Sequence, residues 1–164
     1  MANHRIWAPD RFDYVKDASK DIEEECIFCA KQAEDDDEKN LIVHRGESCF
    51  VILNLYPYTN GHLMVTPYDH VARFQDLPPE TTAEMMALVQ RSIGRLEDVY
   101  EPHGFNMGLN QGRVAGAGVE HHIHLHVVPR WGGDTNFMPV LADVKVLPEH
   151  LRDTAKRLRE AWTR

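Results

Sequence analysis

The chain has 164 residues, 43% hydrophobic and 27% charged, the proportions of a soluble globular protein with one core. Its formal net charge of −8 sets it against nucleic acid polymers, whose capture needs many Lys and Arg contacts. No apolar run reaches the roughly 18 residues of a membrane span. A small anionic ligand stays compatible, because one pocket can be locally positive in an acidic protein.

Residues 1 to 25 show no clean period and are read as an N-terminal arm, with 26 to 164 as a single domain. The start, MANHRIWAPDRF, lacks the apolar stretch of a secretory signal. An odd number of cysteines, three, fits a reducing cytoplasm better than a disulfide framework. CIFCAKQAE opens a short predicted helix, and EDDDE (34 to 38) is a solvated loop. NLIVHRG and SCFVILN read as strands around a turn at Gly46, because β-branched and aromatic residues dominate them. LYPYTNG is a loop by its Pro and Asn-Gly signals, and HLMVTP is a third strand.

From Pro78 to Tyr100 the pattern becomes helical. Met85, Leu88, Val89, Ile93, Leu96 and Tyr100 recur at spacings of three and four, between Pro78-Pro79 and Pro102. GFNMGLN is a fourth strand and QGRVAGAG a glycine-rich loop. A histidine strand follows at 121 to 128, then a loop from Trp131 to Asn136, then FMPVLADVKVL as irregular chain or a short strand. A last helix runs from about Pro148 to Trp162. Strands in meander with one long helix across them predict an α+β domain with a largely antiparallel sheet.

HHIHLHVV (121 to 128) carries four histidines in six positions. On a strand, His122, His124 and His126 share one face, while Ile123, Leu125 and Val127 share the other. Three readings stand. The row is an exposed edge, or it ligates a metal, or one imidazole is a nucleophile toward phosphorus with its neighbours assisting. The glycine loop just before it favours the third, since such turns point backbone N–H groups at anions.

These segments resemble the histidine triad family. The likeness rests on His122-Ile-His124-Leu-His126-Val-Val, CIFC, FVILNLYPYTNGHLMVTPYDH, LNQG and GAGVEHHIHLHVVPRWGGDTNF, and spans roughly residues 26 to 150. It implies a five-stranded antiparallel sheet, a homodimer whose sheets join, and a nucleotide hydrolase or nucleotidyl transferase. By the resemblance His124 attacks the α-phosphorus and becomes nucleotidylated, His126 contacts the α-phosphate, and His122 supports the middle imidazole. Asn54 faces the ribose. Gln111 falls where the family's hydrolases bind phosphate, and Asn110, Gly116 and Gly118 are further nucleotide-binding candidates. The family's usual Gly-Gln-Ser or Gly-Gln-Thr segment is replaced by Gly116-Ala117-Gly118-Val119. With RWGGDTNF and YPYTNGH, this looks like the bacterial diadenosine tetraphosphate phosphorylases of the family. The expected substrate is therefore a dinucleoside polyphosphate, with phosphate or water resolving the intermediate. A phosphoramidate hydrolase and a regulatory nucleotide-binding module are the alternatives. Arg113 and Arg130 are candidate phosphate donors, and Trp131 with Gly132-Gly133 a candidate pocket wall.

Taken alone, Cys26 and Cys29 form a C-x-x-C pair open to metal, redox and purely structural readings. The resemblance adds His70 and His122 as partners for a structural zinc, which would also fix the His122 ring. Cys49 is read as a small core residue. His44, His62, His103 and His121 are weaker candidates, His62 lying near the expected nucleotide pocket.

Overall fold

The structure, a computed structural model, describes residues 26–134 and 148–163. The arm at 1–25 and the FMPVLADVKVL segment lie outside the described residues. Helix α1 spans Ile27–Ala33 and the single turn α2 spans Asp37–Asn40. Strands β1 (Ile42–Arg45), β2 (Cys49–Leu53) and β3 (Leu63–Pro67) follow, then the long helix α3 (Pro79–Tyr100). Strands β4 (Gly104–Leu109) and β5 (Leu125–Arg130) precede the last helix, α4 (Leu151–Trp162). The five strands form one antiparallel sheet in the order β1-β2-β3-β5-β4.

The two faces of the sheet are covered differently. One packs Val51, Leu53, Leu63, Val65, Leu125 and Val127 against Met85, Leu88, Val89 and Leu96 of α3 and Leu158 and Trp162 of α4. The helical stripe is thus core, with Ile93 and Tyr100 at its margin. The other face carries a smaller cluster of Phe28, Ile42, Phe50, Ile52 and Met64, capped by α1 through Phe28. Cover on both sides explains why every residue of β2 and β3 is buried. Cys49 is fully buried in the larger core, and burial pushes its thiol up to about 12. That is a packing residue.

The expected histidine strand begins four residues late, at Leu125 rather than His121. The β3–β5 register ends at the Val65↔Leu125 pair, and two steps further stands Pro67, which has no N–H for the ladder. The backbone of 122–124 bonds elsewhere. Ile123 N–H donates to the Val71 carbonyl (2.7 Å), and the Ile123 carbonyl accepts from the Thr66 hydroxyl (3.1 Å). Alternation survives this loss of pairing. Ile123, Leu125 and Val127 enter the larger core, while His122 and His124 meet Phe28 of α1 and His126 stands beside His62.

Candidate active site and metal centre

His122 and His124 are 0% and 4% exposed, and Phe28 stands in tilted ring contact with both. His124 and His126 meet edge to face, centroids 4.9 Å apart. The hydrogen bonds assign each ring its role. A carbonyl only accepts, so His124 Nδ1, 2.8 Å from the His122 carbonyl oxygen, carries the proton there. Its Nε2 is therefore the bare nitrogen, the form a nucleophile needs. Burial holds the His124 pKa below the ordinary imidazole value, against an opposing pull from that carbonyl. The unprotonated form is dominant at neutral pH.

A second chain of bonds fixes His126. The Tyr58 backbone N–H donates to His62 Nδ1 at 3.1 Å. Neutral His62 then carries its proton on Nε2 and donates it to His126 Nδ1, 3.0 Å away. His126 in turn holds its own proton on Nε2, as a donor. His62, a weaker candidate from sequence, is fully buried beside the triad. Its partner lies 64 positions along the chain, and only the strand register, which pairs Met64 with His126, brings the two together.

His122 works on the other side. Its Nε2–H donates to the Pro67 carbonyl at 2.9 Å, so Nδ1 presents a lone pair. That nitrogen lies 3.3 Å from Cys26 Sγ and 3.6 Å from Cys29 Sγ, and Cys29 Sγ lies 3.3 Å from His70 Nδ1. All four donor atoms fall within 4.8 Å of one another. Tetrahedral zinc on two sulfurs and two nitrogens needs donors roughly 3.3–3.8 Å apart, so the set fits. The Pro67 bond supplies the outer-shell support that a ligating imidazole requires.

The remaining expected residues divide. Asn54 Oδ1 accepts the Tyr56 N–H at 2.9 Å, and Asn54 N–H donates to the His62 carbonyl, which sets Asn54 beside the histidine pair. Asn110 Nδ2–H donates to Gly116 O (3.3 Å), pinning the glycine loop, where Gly112 and Gly116 have φ of +83° and +92°. Gly118 lies in the exit of that loop toward His121. Gln111 spends its side-chain oxygen on the Phe74 N–H (2.8 Å). Trp131 donates its Nε1–H to Tyr100 O (3.3 Å) at the C-terminus of α3, the helix that covers the face opposite the histidines. Arg130 is clamped by Asp134 (2.6 Å) and Asn106 (2.8 Å), and Arg113 stands 3.5 Å from Glu120. His44, His103 and His121 lie away from this cluster: His44 stacks on Trp162, His103 accepts from Gly132 N–H, and His121 faces Glu120.

Residues 35–133 match the model of the HIT domain. This chain belongs to the HIT family. An AP-4-A phosphorylase from Mycobacterium tuberculosis is 42% identical over 167 residues, covering 98% of this chain and 85% of that protein. Among solved HIT structures, a Zn-bound histidine triad family protein from Mycobacterium smegmatis superposes with a TM-score of 0.67 at 32% identity. The match covers 85% of this chain and 94% of the other. A hypothetical histidine triad nucleotide-binding protein from Sulfolobus tokodaii gives 0.65 at 27% identity, covering 83% and 91%. The five-stranded α+β architecture is thus that of the HIT family. Among the described residues no helix is long and apolar enough to cross a membrane.

Proposed function

We propose that the chain is a HIT-type nucleotidyl transferase that cleaves dinucleoside polyphosphates such as diadenosine tetraphosphate. The observation that carries this is the bare Nε2 of His124, set by the bond from Nδ1–H to the His122 carbonyl and flanked by a second imidazole of fixed tautomer. Kinship with an AP-4-A phosphorylase along 98% of the chain supports the substrate class.

In the first step the Nε2 lone pair attacks the α-phosphorus, and the bond to the bridging oxygen breaks. The remaining nucleoside polyphosphate leaves with those electrons. His126 Nε2–H donates to a non-bridging oxygen as charge builds there. In the second step an oxygen of phosphate, or of water, attacks the same phosphorus. The P–N bond breaks and the His124 lone pair is restored. Phosphate yields ADP and water yields AMP, with ATP as the other product in both cases.

Phosphate needs donors on the leaving-group side. The side chains of Arg130 and Arg113 are engaged with Asp134 and Glu120, and the N–H groups of Gly116 and Ala117 close the loop on Arg113 O and Gly112 O, so that role falls to the backbone N–H groups from Gly118 onward. Asn54 is assigned to the ribose. Cys26, Cys29, His70 and His122 would hold a structural zinc, supplying a fixed cross-link between α1, the segment after β3 and the start of the triad. The chain works as a homodimer in the cytoplasm.

The test is product analysis. Diadenosine tetraphosphate with millimolar phosphate (on the order of typical substrate concentrations) should give ADP and ATP. AMP as the main product would make the chain a hydrolase, and no turnover would favour a regulatory module.

A further inference from the structure

His62 is fully buried immediately before β3, and it closes a four-residue turn whose support comes from far away. His62 N–H donates to the Thr59 carbonyl at 3.2 Å, closing Thr59–His62 over Asn60 and Gly61. Gly61 has φ of +76°, and a β-carbon there would meet Leu96 Cδ2 at 2.8 Å. The Thr59 hydroxyl is tied to Pro129 O at 2.8 Å. Asn60, 8% exposed, turns its Nδ2–H toward Glu149 Oε2 at 3.3 Å.

Glu149, two residues before α4, is a hub. Besides Asn60 it accepts from the Tyr100 hydroxyl at the end of α3, from Thr154 Oγ1–H at 2.7 Å, and from Arg157 at 2.9 Å. Its side chain is only 18% exposed. Donors around the charged form outweigh the burial that opposes it, and the carboxyl stays below its ordinary range. An anion satisfied by four groups on three segments is stiff.

We propose that Glu149 is a positioning residue for the reaction: through Asn60 it holds the Thr59–His62 turn so that His62 meets His126 with its Nε2–H. The proposal rests on the reading of the His62–His126 pair given above. Glu149 touches no reacting atom. It acts at two removes, and α4 serves the histidine site although it packs on the opposite face of the sheet. If the turn relaxes, Tyr58 N–H and His62 Nδ1 separate, His62 loses its single tautomer, and His126 ceases to be a preset donor. Small displacements of such a group cost up to about 100-fold in rate.

The experiment compares Glu149→Ala, Asn60→Ala, His62→Ala and the Glu149/His62 double variant in the full chain, using diadenosine tetraphosphate, with Arg157→Ala as control. Glu149→Ala and Asn60→Ala should each lower kcat by about 5- to 100-fold with KM within about twofold, because substrate contacts are intact. The double variant should be no slower than His62→Ala, since both changes act through one pair. Ring ¹⁵N resonances of His126 should move from one tautomer toward a mixture in Asn60→Ala. Arg157→Ala should keep its kcat. If Glu149→Ala fails to fold, Asn60→Ala decides, since it cuts only the link to the turn. Additive losses in the double variant, or a lowered Tm with unchanged kcat and unchanged His126 resonances, would overturn the proposal. A normal kcat in His62→Ala would instead overturn the reading of the histidine pair.

Discussion

The His122 carbonyl oxygen does two jobs with one residue. It orients the His124 ring at 2.8 Å, and the side chain below it faces the two thiols of the C-x-x-C pair. Removing the His124 ring should therefore abolish turnover without dismantling the pocket. His124→Ala is expected to lose at least about a thousandfold in kcat, while calorimetric titration with a nucleotide still shows binding; retention of activity would exclude the covalent route. For the metal, purified protein should carry close to one zinc per chain, and Cys26→Ser should lose it. Full occupancy in that variant would point to a different ligand set. The alternation His122-His124-His126 was legible in the sequence because side-chain direction alternates whether or not the segment is laddered. The role of His62 was not, because a single histidine in a loop-and-strand segment carries no mark of what the sheet places beside it.

Two connections between elements lend themselves to measurement. Glu84 of α3 accepts the backbone N–H groups of Glu47 and Ser48, both at 2.6 Å, clasping the β1–β2 turn. Glu84→Ala should cost about 1.5–3 kcal/mol, as expected for charge-assisted bonds, read as a lower denaturant midpoint with unchanged slope. His44 of β1 stacks on Trp162 of α4 at 5.1 Å. Burial, and then the Arg91 guanidinium, hold its pKa below the ordinary 6.5 against a weaker pull from Glu84. The unfolded chain thus binds this proton more readily. Its contribution to stability is complete above pH 6.5 and declines as pH falls toward the folded value. Thermal midpoints of wild type and His44→Gln should draw closer between about pH 7.5 and 5; parallel curves would contradict this. At this scale the sequence was informative for α1, α3, α4 and four of the strands, since periodicity and proline stops mark their ends. The start of β5 was hidden because it depends on Pro67 of the neighbouring strand, and no local signal in HHIHLHVV reports a missing partner.

The described sheet ends in two edge strands, β1 and β4, and β1 also meets helices α2 and α4. Met107 in the middle of β4 is 55% exposed, and a six-residue edge strand with an exposed apolar side chain invites a second strand. Pairing of two β4 strands would join the sheets of a homodimer. Sedimentation should give a dimer for the wild type, and Met107→Lys should shift it toward monomer, because charge on an edge opposes pairing. An unshifted dimer would place the interface elsewhere. The fold class and strand count were accessible through the family resemblance, as was the expectation for Gln111, whereas Trp131 and Arg130 were assigned to the pocket by sequence position alone. The fold turns Trp131 toward α3, and engages Gln111 with Phe74 and Arg130 with Asp134.

The covalent step is open to direct observation. The protein is mixed briefly with diadenosine tetraphosphate in the absence of phosphate, quenched at alkaline pH to spare the P–N bond, and its intact mass and peptides are recorded. Wild type should gain the mass of one adenylyl group on the peptide containing His124, lost on adding phosphate with release of ADP, and His124→Ala should gain nothing. Turnover with no adduct under any quench, or an adduct that persists in His124→Ala, would contradict the assignment of His124 as the nucleophile.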